Sequence, residues 1–168
     1  ITRMICLSAM FAAMLFVSTM IIQIPTPTNG YVNLGDAFIL VGSWLLPCGY
    51  ASAAAAIGSV FSDIVAGYYH YAAATFIIKG LMAFAAAFIY KHIHKAIFGR
   101  FSGAMVVSCL ISAIAAEFIM VAGYTVYELF LYGAGALVGV VANIEQALVG
   151  ILLSIAVMSV ISRIKSKL

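Results

Sequence analysis

Apolar positions along this chain come in blocks on the order of 20 residues, the length that crosses a bilayer as helix, and do not alternate with period two. The first block covers 2–23. It ends at Ile24-Pro25-Thr26-Pro27-Thr28-Asn29-Gly30, where two prolines and an Asn-Gly pair cannot continue a helix. The run 37–66 is too long for one ordinary span and is cut by Pro47-Cys48-Gly49. The pattern therefore predicts a short helix over 34–46 and a second over 50–66. Further helices are predicted over 71–90, 102–126 and 133–161. The expected architecture is all-α: a polytopic membrane protein with six transmembrane helices in a single compact bundle that takes up residues 1–168.

Composition supports this class. The 168 residues are 66% hydrophobic and 8% charged, with mean hydropathy +1.21, and such a chain has too few polar groups to cover a soluble domain. Missing period-two alternation argues against an outer-membrane barrel. A net charge of +3 does not point to nucleic acid. Cys6, Cys48 and Cys109 sit in apolar surroundings and read as small core residues rather than a disulfide set. The first block is too long for a signal-peptide core and reads as a retained helix. The chain opens on Ile1 rather than Met, so a few residues are expected upstream.

Charge placement orients the bundle. Six spans put both termini on one side, together with Arg3, Lys91, Lys95, Arg100, Arg163, Lys165 and Lys167. The positive-inside rule makes that side the cytoplasm. Were Pro47 only a kink, five spans would set the Lys91–Arg100 loop opposite Arg3. His92 and His94 in that loop read as solvated charge at the headgroups.

Asp63, Lys79, Glu117 and Glu145 fall inside the predicted spans. Each charge near a span centre costs about 2.5–3.5 kcal/mol, so the group carries a penalty on the order of 10 kcal/mol and marks a ligand or ion site. At about 1.5 Å per residue, Asp36, Asp63, Lys79, Glu117, Asn143 and Glu145 form one layer in the outer half of the membrane. The inner halves offer only Ser108, Ser112, Ser154 and Ser159 as polar relief. A channel needs polar groups along its whole length. The pattern is that of a cup open to the outside and closed below.

Gly139, Asn143, Gln146 and Gly150 share one face of the last helix, suited either to a small ligand or to amide bonding between helices. Glu145 points to a different face. Glu117 and Tyr124 share a face of helix five. Lys79 has two candidate partners, Asp63 and Glu117. His70 reads as a solvent-facing loop residue. Of nine tyrosines, Tyr31, Tyr68, Tyr69, Tyr71, Tyr124, Tyr127 and Tyr132 lie near the outer face. That is more than an even interfacial belt, so some of these rings are expected to stack on a flat ligand. Helix one carries Ala9-x-x-x-Ala13, a spacing that lets another helix approach closely. No phosphate loop, zinc-protease motif or nucleophile elbow occurs, nor any sign of inverted repeats.

Gly30-Tyr31-Val32-Asn33-Leu34-Gly35-Asp36-Ala37 after the Pro-rich break, then Gly58-Ser59-x-x-Ser62-Asp63-Ile64 and Ile78-Lys79-Gly80, resembles the substrate-binding S components of energy-coupling factor (ECF) vitamin transporters. The similarity covers nearly the whole chain and is nearest the riboflavin-type group that includes hydroxymethylpyrimidine and pyridoxine carriers. It implies a non-enzymatic subunit of a bacterial cytoplasmic membrane, with no cofactor. A vitamin would bind near the outer face under the helix one–two loop. A transmembrane scaffold subunit and two ATPase subunits would be the partners, and the S component would tip over in the membrane to deliver its cargo. Ala9 and Ala13 match the family's scaffold-docking motif. Family pockets vary, so the resemblance assigns no substrate residue. The residues themselves nominate Asn33, Asp36, Asp63, Tyr71, Lys79, Glu117, Tyr124, Asn143 and Gln146 as ligand contacts. Short loops suit pyridoxine or hydroxymethylpyrimidine, with riboflavin next. A stand-alone ion-coupled carrier is the alternative.

Overall fold

A computed structural model describes residues 1–98 and 103–165 of the chain, with side chains to 164. The elements in order are α1 (Thr2–Ile21), β1 (Gln23–Pro25), β2 (Tyr31–Asn33), α2 (Gly35–Leu45), α3 (Cys48–Ala66), α4 (Ala72–Ile97), α5 (Ala104–Tyr132), a 3-10 turn (Gly133–Ala136) and α6 (Leu137–Lys165). The fold is all-α apart from one short hairpin. Where the sequence shows only a helix break, β1 and β2 pair antiparallel with Gln23 opposite Asn33 and Pro25 opposite Tyr31. Asn29 takes a left-handed φ of 54° in the connecting turn, a conformation asparagine tolerates better than most residues.

The break at Pro47 holds, since α2 ends at Leu45 and α3 starts at Cys48. α2 packs against α1, α3, α4 and α6, and most of its residues are buried. α3 and α5 flank α4, α1 rests on α3, and α6 on α5. Leu40, Met82, Ala83, Ala86, Ala113, Ala116 and Met120 are almost wholly buried and fill the middle. Large apolar side chains face outward instead, with Phe118 73% and Phe130 86% exposed, the inverse of a soluble protein's surface.

Three boundaries differ from expectation. α4 continues past 90 to Ile97, which places Lys91, His94 and Lys95 on helix rather than in a loop. α5 ends at Tyr132 rather than 126, so its 29 residues reach about 43 Å at 1.5 Å per residue. α6 starts at Leu137 after the 3-10 turn. Gly133 adopts φ +56°, open to glycine and strained for other residues, where the chain turns back so that α6 packs on α5. The expected helix start at 102, and Arg100 and Lys167, lie outside the described residues.

Among the described residues, four helical stretches are long and apolar enough to cross a membrane: Thr2–Ile21, Cys48–Ala66, Ala72–Ile97 and the 61-residue Ala104–Ile164, which takes in α5 and α6 up to Ile164. The 11 residues of α2 reach about 16 Å, half of an ordinary hydrocarbon core of about 30 Å.

α1 crosses α3 closely at Gly58, where an added Cβ would lie 2.7 Å from the Ala12 carbonyl oxygen. We predict that Gly58→Val lowers unfolding stability in detergent by about 1–3 kcal/mol, the usual cost of overpacking. An unchanged thermal midpoint would mean that this crossing is looser than described.

Candidate ligand-binding site

The site begins where the hairpin runs into α2. Asp36 is in the first turn of α2, where a carboxylate is favoured by the helix dipole, and is 1% exposed. Lys79 comes from α4, 3% exposed, and its Nζ donates to Asp36 Oδ1. Gln146 of α6 donates from Nε2 to Asp36 Oδ2, while its Oε1 accepts the Asn33 backbone N–H at 2.8 Å. Asn33 Oδ1 accepts the Gly35 N–H at 2.8 Å. A carboxylate, an ammonium and an amide thus join α2, α4, α6 and β2 at one point.

This revises the expected pairing. Lys79 bonds neither Asp63 nor Glu117. Asp63 instead accepts a hydrogen bond from the Tyr31 hydroxyl at 2.8 Å. The Lys79 ammonium also lies 5.4 Å from the centroid of the Tyr124 ring, and Tyr124 shares a 3.0 Å hydrogen bond with Thr75.

A second cluster closes the top. Glu128, 3% exposed, accepts from the Thr28 and Tyr71 hydroxyls, both at 3.0 Å. The Tyr71 hydroxyl also lies 2.8 Å from the Thr28 carbonyl oxygen, slightly closer than to Glu128. The turn of the hairpin is thereby held to the N-terminal end of α4 and the C-terminal end of α5. Burial, with Glu128 beside it, pushes the Tyr71 phenol well above its ordinary pKa, so it remains a proton donor at neutral pH.

Between these clusters is a cavity of about 40 Å³, lined by Asn33, Asp63, Tyr71, Lys79, Tyr124, Asn143 and Gln146 together with Thr26, Gly30, Tyr31, Thr75 and Glu128. A second, of about 20 Å³, adjoins Asp36 and shares Tyr31, Asn33, Asp63, Thr75, Lys79 and Tyr124 with the first. Eight of the nine nominated contacts therefore line one cavity or the other. Glu117 lines neither. It is buried at 2%, and its carboxylate lies beneath, beside Gly150 on α6. Glu145 is exposed on α6 and joins none of these groups, contrary to an inward-facing reading of all four intramembrane charges.

The expectation of one level also changes. Glu117 and Glu128 are eleven residues apart on α5, about 16 Å, so the polar groups form a column rather than a layer. Below Glu117 the interior is apolar. Buried Ser108, Ser112 and Ser154 bond carbonyls of their own helices. Glu128 was missed because the predicted helix stopped at 126. Its signal was the spacing Glu117, Tyr124, Glu128, which keeps to one helical face. Tyr31 was legible only as one of the seven outer tyrosines, and Thr28 and Thr75 carried no comparable signal. His70 is exposed, as expected, and its carbonyl accepts the Tyr127 hydroxyl.

Apolar walls, an interior polar column and a greasy floor define a helical integral membrane protein with an enclosed polar site. The model of the ECF-type riboflavin transporter S component family matches residues 1–163, and the chain belongs to that family. It is therefore a transporter's substrate-binding subunit rather than a catalytic enzyme. An uncharacterized protein of Pyrococcus woesei is 31% identical over 139 residues, covering 82% of this chain and 86% of that protein. The solved structure of the S component of a bacterial ECF transporter shares the fold, with a TM-score of 0.68 and 19% identity over 98% of this chain and 96% of that one.

Removing one partner of a buried ion pair strands the other. We predict that Lys79→Ala lowers stability by about 3–5 kcal/mol, and that Asp36→Leu combined with Lys79→Met regains most of that loss. A double-mutant cycle on thermal unfolding checks both values. Additive losses would show that the two charges are not coupled.

Proposed function

We propose that this chain is the substrate-specificity subunit of an ATP-driven ECF importer, and that it binds a compact, donor-bearing heteroaromatic vitamin in the cavity beneath the hairpin. One observation carries the reading of the ligand. Among the described residues, the buried side-chain atoms without a hydrogen-bond partner are four carboxylate oxygens (Asp63 Oδ2, both of Glu117, Glu128 Oε2) and one amide nitrogen, Asn143 Nδ2. Asp63, Glu128 and Asn143 all line the cavity. A ligand rich in hydroxyl or amino hydrogens, with a ring nitrogen or oxygen for Asn143, would satisfy them. Pyridoxine and hydroxymethylpyrimidine have that balance on one ring. Riboflavin, named in the family's description, comes next because its three fused rings need more room. The 40 Å³ cavity holds about three waters, so any of these ligands must widen it, and the Tyr71–Glu128–Thr28 contacts are the ones to open.

Family membership supports a transmembrane scaffold and two ATPase subunits as partners. Ala9 and Ala13 are exposed on α1 and line an apolar groove of about 610 Å³ between α1 and α3, a surface suited to a scaffold helix. In this reading the chain spans the cytoplasmic membrane six times, with both termini inside. α2 and the hairpin together make the second crossing. An ion-coupled carrier working alone is the rival, and Glu117, buried without a partner, is the group that favours it. Proteoliposomes holding this chain alone separate the two, since gradient-driven uptake without ATPase subunits would reject the importer.

Mass spectrometry of small molecules retained by the purified protein is expected to find a single-ring vitamin. Asn143→Ala should weaken its binding about tenfold, the worth of one hydrogen bond, while leaving thermal stability near wild type. Unchanged affinity would move the ligand elsewhere. Ala9→Trp should abolish co-purification with scaffold and ATPase subunits and leave vitamin affinity intact. Normal assembly would remove α1 from docking.

A further inference from the structure

The opposite end of the bundle has a groove that vitamin binding does not use. It has a volume of about 680 Å³ and lies between the start of α1, the α2–α3 junction and the last turns of α4. Such a volume is in the range of small-molecule clefts, about 300–1,000 Å³, and far exceeds what an inorganic anion fills. Its wall is apolar along Leu45, Leu46 and Ala87, and aromatic at Trp44 and Tyr90, whose ring centroids are 6.1 Å apart. Its rim is cationic. Lys91 and Lys95, one turn apart on α4, are both exposed and line it.

Among the described residues these ammonium groups meet no counter-charge. All five acidic side chains of the protein, Asp36, Asp63, Glu117, Glu128 and Glu145, belong to the column or to its level on α6. Among the described residues, neither Lys91 nor Lys95 forms an ion pair with a carboxylate, in contrast to Lys79 with Asp36. An apolar groove rimmed by these two lysines, with the half-buried Tyr90 and the largely buried Trp44, whose indole N–H donates to Ser112 at 2.9 Å, on its wall, has the shape and charge of a lipid: acyl chain along the wall, anionic headgroup at the rim. We infer that this groove is a binding site for an acidic phospholipid of the leaflet at the chain's cationic end. Occupancy would tie the α2–α3 junction to α4 at the end remote from the ligand.

Trp44 is the only tryptophan in the chain and lines the groove, so it reports directly. The full chain in nanodiscs is titrated with dibrominated phosphatidylglycerol or with dibrominated phosphatidylcholine, and Trp44 fluorescence is followed. Quenching is expected at about tenfold lower mole fraction of the anionic lipid, given two lysines near the headgroup. Lys91→Gln combined with Lys95→Gln should erase that preference while leaving quenching by phosphatidylcholine unchanged. Equal quenching by the two lipids in the wild type overturns the assignment, as does a preference that survives loss of both lysines. Displacement by inorganic phosphate would also overturn it, by showing that charge alone is bound. Equal quenching, with the lysine pair needed instead for capture by other transporter subunits, would give the face to a protein partner.

Discussion

A lysine and an aspartate bonded inside an apolar bundle constrain most of what surrounds them. Neither charge can be left alone there without a cost of several kcal/mol, so Asp36 and Lys79 hold α2 and α4 in contact at one level. The second carboxylate oxygen needs a donor, and Gln146 brings α6 to it. The amide's own oxygen then takes the Asn33 N–H and fixes where the hairpin enters α2. A helix as short as α2 gains its place from these contacts and from burial on nearly every side. The cavity exists because the hairpin is pinned at its base by Gln146 and at its tip by Glu128 and Tyr71, with space between.

Much of this arrangement was legible in the sequence because lipid makes polar residues expensive. In a soluble protein a lone lysine or glutamine on a helix says little, whereas within an apolar block Lys79 and Gln146 had to face inward. Pro47 marked the α2–α3 junction for an equally direct reason, as it cannot continue the helix begun at Gly35. Pairing was not legible. Helix periodicity gives the face a residue occupies but not which of three carboxylates a lysine meets, and that depends on α2 lying between α4 and α6. Glu128 was lost through a boundary: Tyr127 and Tyr132 look like interfacial residues, yet the helix runs on through them to Gly133. The hairpin was hidden because its strands are three residues each, too short for an alternating pattern to register.

Charge is divided along the long axis. Acids gather in and around the column, and among the described side chains Arg3, Lys91, Lys95 and Arg163 lie toward the other end. The division gives each end a different chemistry: buried acceptors without donors at one, and at the other the exposed ammonium groups of Lys91 and Lys95, which meet no carboxylate among the described residues. The column suits a neutral or cationic solute rich in hydrogens to donate, and the cationic end suits anionic headgroups. The apolar core of Met82, Ala83, Ala113 and Met120 separates them, and the serines within it are satisfied by their own helices. No described polar chain connects the two ends, as a subunit that binds its cargo rather than conducting it requires.

The most direct test is an experimental structure of the chain with its retained small molecule. A single ring should fill the space between Asp63, Glu128 and Asn143, with its hydrogens directed at the two carboxylates and an acceptor at the amide. Density for the ring in the α1–α3 groove, or a cavity in which those three side chains meet only water while the protein is saturated with ligand, would contradict the account.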